Sequence, residues 1–318
     1  MSVELVEVLR SGFRECVHRG SVAIVAPDGE VVVALGEVHT PIYPRSSNKP
    51  LQALALLRHG YAPFDDAELA LATASHFGEP RHVAIVIRLL ERIGCIEADL
   101  ACPPEMPLDE RSRALLLAAD EPPRRIYMNC SGKHAAMLAT CAHNGWPLAG
   151  YQDIAHPLQQ VVAATVVDVT GEPETDLGID GCGLPIVPVS LVNLANAFAA
   201  LATAPEGTPE RRIVDAARAD PFLISGTGGE DPALMAAVPG LFCKVGADGV
   251  HAGAMPDGTA FALKIDDGSA RARVPLVAAI LSSLVEQDAL TDLASPPILG
   301  GGARVGTVRA VPGLFAQR

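Results

Sequence analysis

A serine and a lysine three residues apart are the first side chains of this sequence that could do chemistry together. They are Ser46 and Lys49, in the segment Arg45-Ser-Ser-Asn-Lys-Pro, and a leucine-rich helical pattern follows directly. A helical turn places residues three apart on one face, so the amine could accept the serine proton. The free N–H groups of a helix N-terminus also favour an oxyanion. The spacing indicates nucleophilic serine chemistry, although an N-capping serine beside a solvated lysine has the same sequence.

A second serine and a second lysine occur where they could move protons. Ser75 lies in Ala74-Ser-His-Phe-Gly-Glu, a polar loop after an apolar helical pattern. Lys264 interrupts an apolar strand pattern, and alternation turns it away from the side of Phe261 and Leu263. A lysine in a cleft can lower the pKa of a neighbouring amine by charge repulsion. Taken singly, Ser75 could merely cap a helix, and Lys264 could be an edge-strand lysine that prevents aggregation through the sheet edge.

Two cysteines and a lysine form a third group of candidate residues. Cys130 and Lys133 are again three apart, in Asn129-Cys-Ser-Gly-Lys-His, and Cys182 lies between two glycines in Asp180-Gly-Cys-Gly. Thiolates bind zinc, but closed structural zinc sites use four ligands, and a lysine must first lose its proton. The pattern leaves open a metal site or a pair of buried thiols. A P-loop is excluded because the first glycine of that motif is missing and His134 replaces its Ser or Thr.

Strand patterns at both ends of the chain must position these residues. A hairpin is predicted at 21–35 with an Asp-Gly turn, and short strands with Asp-Gly turns return at 241–265 and 305–311. Helical spacing fills most of the chain between them. We therefore expect an α+β fold: one antiparallel sheet formed by N- and C-terminal strands, about 1–45 and 235–318, with an all-helical subdomain at about 46–234. Residues 1–318 would form a single catalytic domain.

Composition excludes several classes of protein. The chain has 318 residues, 49% of them apolar and 19% charged, which excludes a largely disordered protein. Its net charge of −13 argues against nucleic acid as a partner. Glu4 and Glu7 are unlike a signal peptide, and no apolar run reaches the roughly 18 residues that cross a bilayer. Seven scattered cysteines fit a reducing compartment. We expect a cytoplasmic protein that does not contact a membrane.

The order of these parts points to one kind of enzyme. A Ser-x-x-Lys at a helix start, a second serine on a helical loop and a lysine on a late strand follow the order of serine acyl-transfer enzymes of the β-lactamase type. Five segments also resemble, in order, the signatures of the bacterial asparaginase II family, the Rhizobium-type L-asparaginases. They begin at Arg45, Ala74, Asn129, Asp180 and Leu263, and the resemblance extends from about residue 5 to the C-terminal region.

The resemblance implies a serine β-lactamase-like fold, a homodimer, and hydrolysis of L-asparagine to L-aspartate and ammonia through a serine acyl-enzyme. It also implies roles for ten residues. Ser46 matches the nucleophile and Lys49 its base, Ser75 and Lys264 match a second Ser–Lys pair, and Arg45, His134 and Asp180 match positions near the substrate and metal. Cys130, Lys133 and Cys182 match the ligands of one zinc ion, completed by water, that assists binding rather than activating the nucleophile.

Three alternatives stay open at this stage. A glutaminase or another small-amide hydrolase would use the same chemistry, because one methylene in a pocket discriminates by only about 1–3 kcal/mol. A catalytically silent, zinc-binding relative could keep the fold. A penicillin-interacting enzyme is disfavoured, since the chain lacks a Lys-Thr-Gly strand. The sequence also has Gly229 where the family pattern suggests an arginine, which predicts altered affinity or specificity.

Overall fold

Both ends of the chain contribute strands to one antiparallel sheet. The structure, a computed structural model, describes residues 1–173 and 175–315. Among these residues the sheet has eight strands: β1 (Val3–Arg10), β2 (Phe13–Val25), β3 (Val31–Leu35), β6 (Phe242–Val245), β7 (Val250–Ala254), β8 (Ala260–Ile265), β9 (Pro297–Gly300) and β10 (Ala303–Ala310). Their order in the sheet is β6-β7-β8-β2-β1-β10-β9, with β3 paired to β2. Strands β1 and β10 are neighbours, with Val8 opposite Val308. The predicted antiparallel sheet is confirmed.

The predicted hairpin is present as β2 and β3. Its turn depends on the Asp-Gly pair, because Gly29 has a φ of +85° that a side chain would disfavour. The Asp28 carboxylate accepts a hydrogen bond from the Glu30 N–H, at 3.0 Å, and closes the turn. Asp-Gly therefore sets the register of the strand pair next to β8, which carries Lys264.

The chain divides into two compact units. The first comprises residues 1–47, 189–199 and the chain from Ala233 onward, and the second comprises residues 48–188 and 200–232. In the first unit, α10 (Arg273–Leu284) packs on β1, β7 and β10, and α11 (Leu290–Ala294) packs on β10. Single-domain organisation with the expected borders stays a prediction.

The second unit is built mainly from helices. Those wholly within it are α1 (Lys49–Arg58), α2 (Asp66–Ala72), α3 (Pro80–Arg92), α4 (Glu110–Ala118), α5 (Ser131–Asn144), α6 (Pro157–Thr170) and α8 (Pro209–Ala219). The helices α7 (Leu191–Thr203) and α9 (Glu230–Ala237) each contribute residues to both units. Among the described residues, no helix is at once long and apolar enough to span a bilayer.

The first helix of this unit is buried on all sides. Its residues from Lys49 to Leu56 are all buried, and it packs against α2, α5, α6 and α8. A helix that is apolar around its whole circumference belongs in a core. In the sequence, Leu51, Leu54, Leu56 and Leu57 lie near one helical face and predict burial of that face only. Lys49, the first residue of this helix, is therefore held inside the packed core of the unit.

The predicted insert is not all-helical. The short strands β4 (Gly178–Ile179) and β5 (Pro185–Ile186) form an antiparallel ribbon within the second unit. The turn between them is closed by a hydrogen bond from Gly183 N–H to Asp180 C=O, at 2.8 Å, and Gly183 has a φ of +87°. The ribbon places Asp180 and Cys182 at its tip, and the left-handed turn explains the glycine that follows the cysteine.

Candidate functional site

Ser46 lies in a short 3₁₀ turn, Arg45–Asn48, that leads directly into α1. Arg45 has a φ of +53°, a left-handed conformation that costs a non-glycine residue about 1–2 kcal/mol. Two contacts within the first unit hold it: the Arg45 guanidinium pairs with the Asp248 carboxylate, and Ser47 Oγ donates to Pro44 C=O at 2.7 Å. Ser46 itself is half-buried. The serine thus follows a strained residue that an ion pair secures.

Lys264, like Arg45, hydrogen-bonds to Asp248 in the first unit. Its Nζ donates to the main-chain oxygen of Asp248 and, at 3.0 Å, to that of Ile265. Burial lowers the pKa of Lys264 and the positive charge of Arg45 lowers it further, against the opposing carboxylates of Asp266 and Asp267. Asp248 therefore fixes two of the predicted site residues, Arg45 through its side chain and Lys264 through its main chain.

The turn that carries Asp248 is tightly fitted against the strained segment. A Cβ at Gly246 would lie 2.6 Å from Pro44 C=O, closer than a Cβ comes to another heavy atom in proteins, so only glycine fits there. Asp248 is itself left-handed, with a φ of +53°. The Asp248-Gly249 pair predicted only a turn between strands. Its role in holding Arg45 had no signal in the sequence, because the two residues are 203 positions apart.

In the second unit, Lys49 meets Ser75. Lys49 is 1% exposed. Its Nζ donates to Ser75 Oγ at 3.0 Å and to Ala74 C=O at 2.5 Å. Within the second unit, the amine that hydrogen-bonds to Ser75 is that of Lys49, and the pairing of Ser75 with Lys264 that the resemblance implies stays a prediction. A buried amine in contact with a hydroxyl is an arrangement that can pass a proton between the two groups.

Hydrogen bonds connect the loop that bears Ser75 to the segment that contains Gly229, the position where the family pattern suggests an arginine. Ser75 N–H donates to Ile224 C=O at 3.0 Å, and Phe77 N–H donates to Ser225 C=O at 2.7 Å. A Cβ at Gly229 would lie 2.3 Å from Ser225 Oγ. This conformation therefore has no room for a side chain at position 229. The consequence of the expected arginine being absent stays a prediction.

Cys130, Lys133 and Cys182 come together in the second unit, and all three are buried. Lys133 Nζ lies 3.5 Å from Cys182 Sγ. A hydrogen bond from Cys182 holds the pKa of Cys130 down to about 5 despite burial, with help from the charges of Lys49 and Lys133. The pKa of Cys182 is raised because it keeps the shared proton and is buried. Lys49, in hydrogen-bond reach of Cys130, connects this cluster to Ser75.

This cluster has donor atoms that suit zinc. Two sulfurs and an amine nitrogen are soft and borderline ligands of the kind that the ion prefers. The 3.5 Å between Lys133 Nζ and Cys182 Sγ is close to the roughly 3.6 Å between nitrogen and sulfur ligands on one tetrahedral zinc. In the metal-free chain, burial disfavours the Lys133 ammonium, but the Cys182 and Cys130 sulfurs outweigh burial and raise its pKa. Metal binding would have to displace that proton.

His134 and Asp180 lie at the edge of the cluster. His134 is fully buried, and its Nδ1 is 2.6 Å from the hydroxyl of Tyr151, which accepts a hydrogen bond from Ala101 N–H at 2.9 Å. Burial lowers the pKa of His134, although neighbouring Cys182 acts in the opposite direction. Asp180 is half-buried, with Oδ2 4.0 Å from Cys182 Sγ. Tyr151 was missed, because nothing in its local sequence distinguishes it from a core tyrosine.

Three comparisons relate the chain to known proteins. None of the curated proteins matches it. Among solved structures it is similar to crystal structures of Mglu. The native form is 17% identical (TM-score 0.37), covering 89% of this chain and 69% of that chain. The L-glutamate-binding form in 4.3 M NaCl is 16% identical (TM-score 0.38), covering 89% and 66%.

A further Mglu crystal structure is 16% identical, with a TM-score of 0.34 and 79% of this chain covered, and this chain spans only 62% of its length. TM-scores below 0.5 at 16–17% identity establish neither the fold nor the function of this chain. The sequence comparison is stronger, since the model of the L-asparaginase II family matches residues 6–310. The chain that carries these lysine, serine and cysteine groups therefore belongs to the L-asparaginase II family.

Proposed function

We propose that this chain is an L-asparagine amidohydrolase that releases L-aspartate and ammonia through an acyl-enzyme on Ser46. The observation that carries the proposal is the buried Lys49 amine, hydrogen-bonded to Ser75 Oγ and placed three residues after Ser46 in the chain. Membership of the L-asparaginase II family supports an amide as substrate. An acyl-enzyme divides a difficult hydrolysis into two easier steps.

The steps assign one role to each residue. Lys49 accepts the Ser46 proton as Oγ bonds to the side-chain amide carbon of asparagine. Ser75 then passes a proton to the leaving nitrogen as the C–N bond breaks, and water hydrolyses the resulting ester. N–H groups at the start of the helical segment stabilise the oxyanion, an effect worth about 3–4 kcal/mol per donor in other enzymes. Lys264, whose pKa burial lowers, completes the proton network.

Recognition of the amino acid needs fixed charges. Asp180, a half-buried carboxylate, is proposed to bind the substrate ammonium group. Arg45 is the cation proposed for its carboxylate, with Lys133 as the alternative only where that amine keeps its proton and binds no zinc, and His134 is proposed to lie near the substrate. Cys130, Lys133 and Cys182 would hold a zinc ion, which when bound supplies a fixed positive charge for substrate positioning. A serine β-lactamase-like fold, a homodimer and a cytoplasmic location complete the proposal.

Ammonia release from L-asparagine and L-glutamine, measured side by side on the purified chain, tests the proposal. We expect turnover of asparagine that Ser46→Ala abolishes and that Ser282→Ala, an exposed serine on α10, leaves intact. Preferential turnover of glutamine would identify a glutaminase instead. Calorimetric binding of asparagine without turnover would identify a catalytically silent relative, and more than a few per cent activity in Ser46→Ala would remove Ser46 from its role.

A further inference from the structure

A fully buried histidine directly follows Ser75. His76 is 0% exposed, and its ring stacks on His82 with centroids 5.2 Å apart and planes 20° apart. His82 in turn stacks on Phe222 at 4.5 Å and 11°. A side chain packed in this way has one ring orientation, so the directions of its two nitrogens are fixed. All of these residues lie in the second unit.

The hydrogen bonds of His76 determine where its proton resides. Gly78 N–H donates to His76 Nδ1 at 3.1 Å, so Nδ1 presents a lone pair. Burial lowers the pKa of His76 well below its usual value, and His82 and Lys49 lower it further, so the ring is neutral near pH 7. A neutral imidazole has one N–H, which must therefore be on Nε2. The Nε2–H donates to Ser131 Oγ at 2.9 Å.

The acceptor of that hydrogen bond is at the start of the helix that carries the cysteine and lysine cluster. Ser131, fully buried, is the first residue of α5, between Cys130 and Lys133. Its hydroxyl donates onward to Ile126 C=O at 2.9 Å. The main chain adds a parallel link, because His76 N–H donates to Asn129 C=O at 3.1 Å. The loop that bears Ser75 is thus attached to the start of α5 through both side chain and main chain of His76.

We propose that His76, as the neutral Nε2–H tautomer, is a positioning residue that fixes Ser75 relative to Cys130 and Lys133 through Ser131. The inference rests on the proposed function, in which Ser75 moves a proton. In the proposed mechanism His76 does not touch a reacting atom. Its effect on turnover comes from holding Ser75 within reach of Lys49, a placement that a shift of about 1 Å would impair.

Two substitutions distinguish the hydrogen bonds made by the two ring nitrogens of His76. Asparagine places an amide oxygen near Nδ1, and keeps the acceptor for Gly78 but loses the donor to Ser131. Glutamine reaches the position of Nε2 with an amide N–H and restores that donor. We expect His76→Asn and Ser131→Ala each to lower kcat about 10- to 100-fold with KM changed less than about twofold, as for other groups that orient a catalytic shell. His76→Gln should recover most of kcat.

The link itself is tested by combining the substitutions. The double variant His76→Asn/Ser131→Ala should be no slower than the slower single variant, because both remove the same hydrogen bond. The exposed His39→Asn is the matched control. Fully multiplicative effects, or a His76→Asn enzyme with unchanged kcat, would overturn the proposal.

An activity-independent measurement distinguishes failure of this inference from failure of the proposed function. Imidazole ¹⁵N shifts of His76 in the unmodified chain at pH 7 should report a free lone pair on Nδ1 and a proton on Nε2. An Nδ1–H tautomer or an imidazolium would refute the role of His76 whatever the chain hydrolyses. A chain that hydrolyses neither asparagine nor glutamine, with the Nε2–H tautomer present, would refute only the proposed function. The ¹⁵N spectrum and Ser131→Ala also decide the matter if His76→Asn does not fold.

Discussion

Lys49 Nζ and Ser75 Oγ are 3.0 Å apart, although 26 residues separate them in the chain. The distance is set by packing, since Lys49 begins the buried helix α1 and Ser75 follows α2, which packs against it. Burying an amine is costly unless its hydrogen bonds are satisfied. The core of the second unit therefore holds a buried amine whose hydrogen bonds to Ser75 and Ala74 offset part of the cost of its burial.

Replacing that amine should stop catalysis without unfolding the chain. Lys49→Met keeps the aliphatic length of the side chain, and we expect kcat/KM for asparagine to fall at least ~100-fold, the usual contribution of a general base. Ser75→Ala should have a smaller effect, and the double variant should resemble Lys49→Met, because both residues serve one proton transfer. Arg58→Met, at the other end of α1, is the control. Lys49→Met with more than a tenth of normal activity would contradict the assigned role.

Asp248→Asn isolates the ion pair that holds Arg45. Asparagine tolerates the left-handed backbone at this position and leaves the main-chain oxygen that accepts from Lys264. We expect kcat to fall about 10-fold, because the strained turn before Ser46 loses its anchor. The Asp248 side chain is 62% exposed, so stability should change by no more than about 1 kcal/mol.

The matched control for that substitution is Asp257→Asn, in the Asp-Gly turn between β7 and β8. It should leave kcat unchanged. Steady-state kinetics and thermal unfolding of both variants check the prediction. Equal kinetics in the two variants would mean that the Arg45–Asp248 pair has no part in positioning Ser46.

Metal content tests the assignment of the cysteine cluster. We expect the purified chain to contain one zinc ion per molecule by elemental analysis, and Cys130→Ser to lose most of it, because a hydroxyl is a far weaker zinc ligand than a thiolate. Cys16→Ser, a half-buried cysteine on β2, should keep its zinc. Zinc content that is the same in both variants would refute Cys130 as a ligand.

Two buried histidines predict a pH dependence of stability. Burial lowers the pKa of both His76 and His82 in the folded chain, whereas the unfolded chain titrates near 6.5. Below about pH 6.5 the unfolded state thus binds more protons than the folded state, and the free energy of unfolding rises with pH. The free energy of unfolding should therefore fall as the pH drops below 6.5, and each histidine contributes up to about 1.4 kcal/mol per pH unit to that loss.

Urea unfolding between about pH 5 and pH 7.5 measures this dependence. His82→Phe keeps a ring to stack on Phe222 and should reduce the slope with pH. The exposed His39→Asn should leave the slope as it is. If the slope in His82→Phe equals that of the unmodified chain, His82 is not a source of the acid sensitivity.

Local patterns predicted most elements but missed those with unusual burial. Helical spacing at about 132–143, 157–169 and 209–219 corresponds to α5, α6 and α8, and β6 to β8 lie at the short strands expected over 241–265. Strand β1 was missed because it lies between β2 and β10 and buries Leu5, Val6 and Val8 together, which hides the alternation of a half-exposed strand. Helix α4 was missed because none of its residues is buried, so it has no apolar face to detect.

The sequence identified residues of the candidate site by type, but it did not reveal which of them are in contact. Residue type and spacing identified Lys49, Ser75 and Cys130 as chemically capable groups. Which of them touch is decided by helix packing across many residues, as for Lys49 with Ser75. Partners such as Asp248 and Tyr151 carry no local signature, since an aspartate in a turn and a tyrosine in a core are ordinary. The assigned roles of the site residues stay predictions that the experiments above test.

Mass spectrometry of the chain, quenched in acid during turnover of L-asparagine, shows whether Ser46 carries the acyl group. A serine ester is stable in acid, so the intermediate should survive digestion. We predict an aspartyl group on the peptide that contains Ser46, absent in Ser46→Ala and in the reaction without asparagine. Turnover with an unmodified Ser46 peptide, or an aspartyl group on a different residue, would contradict the account.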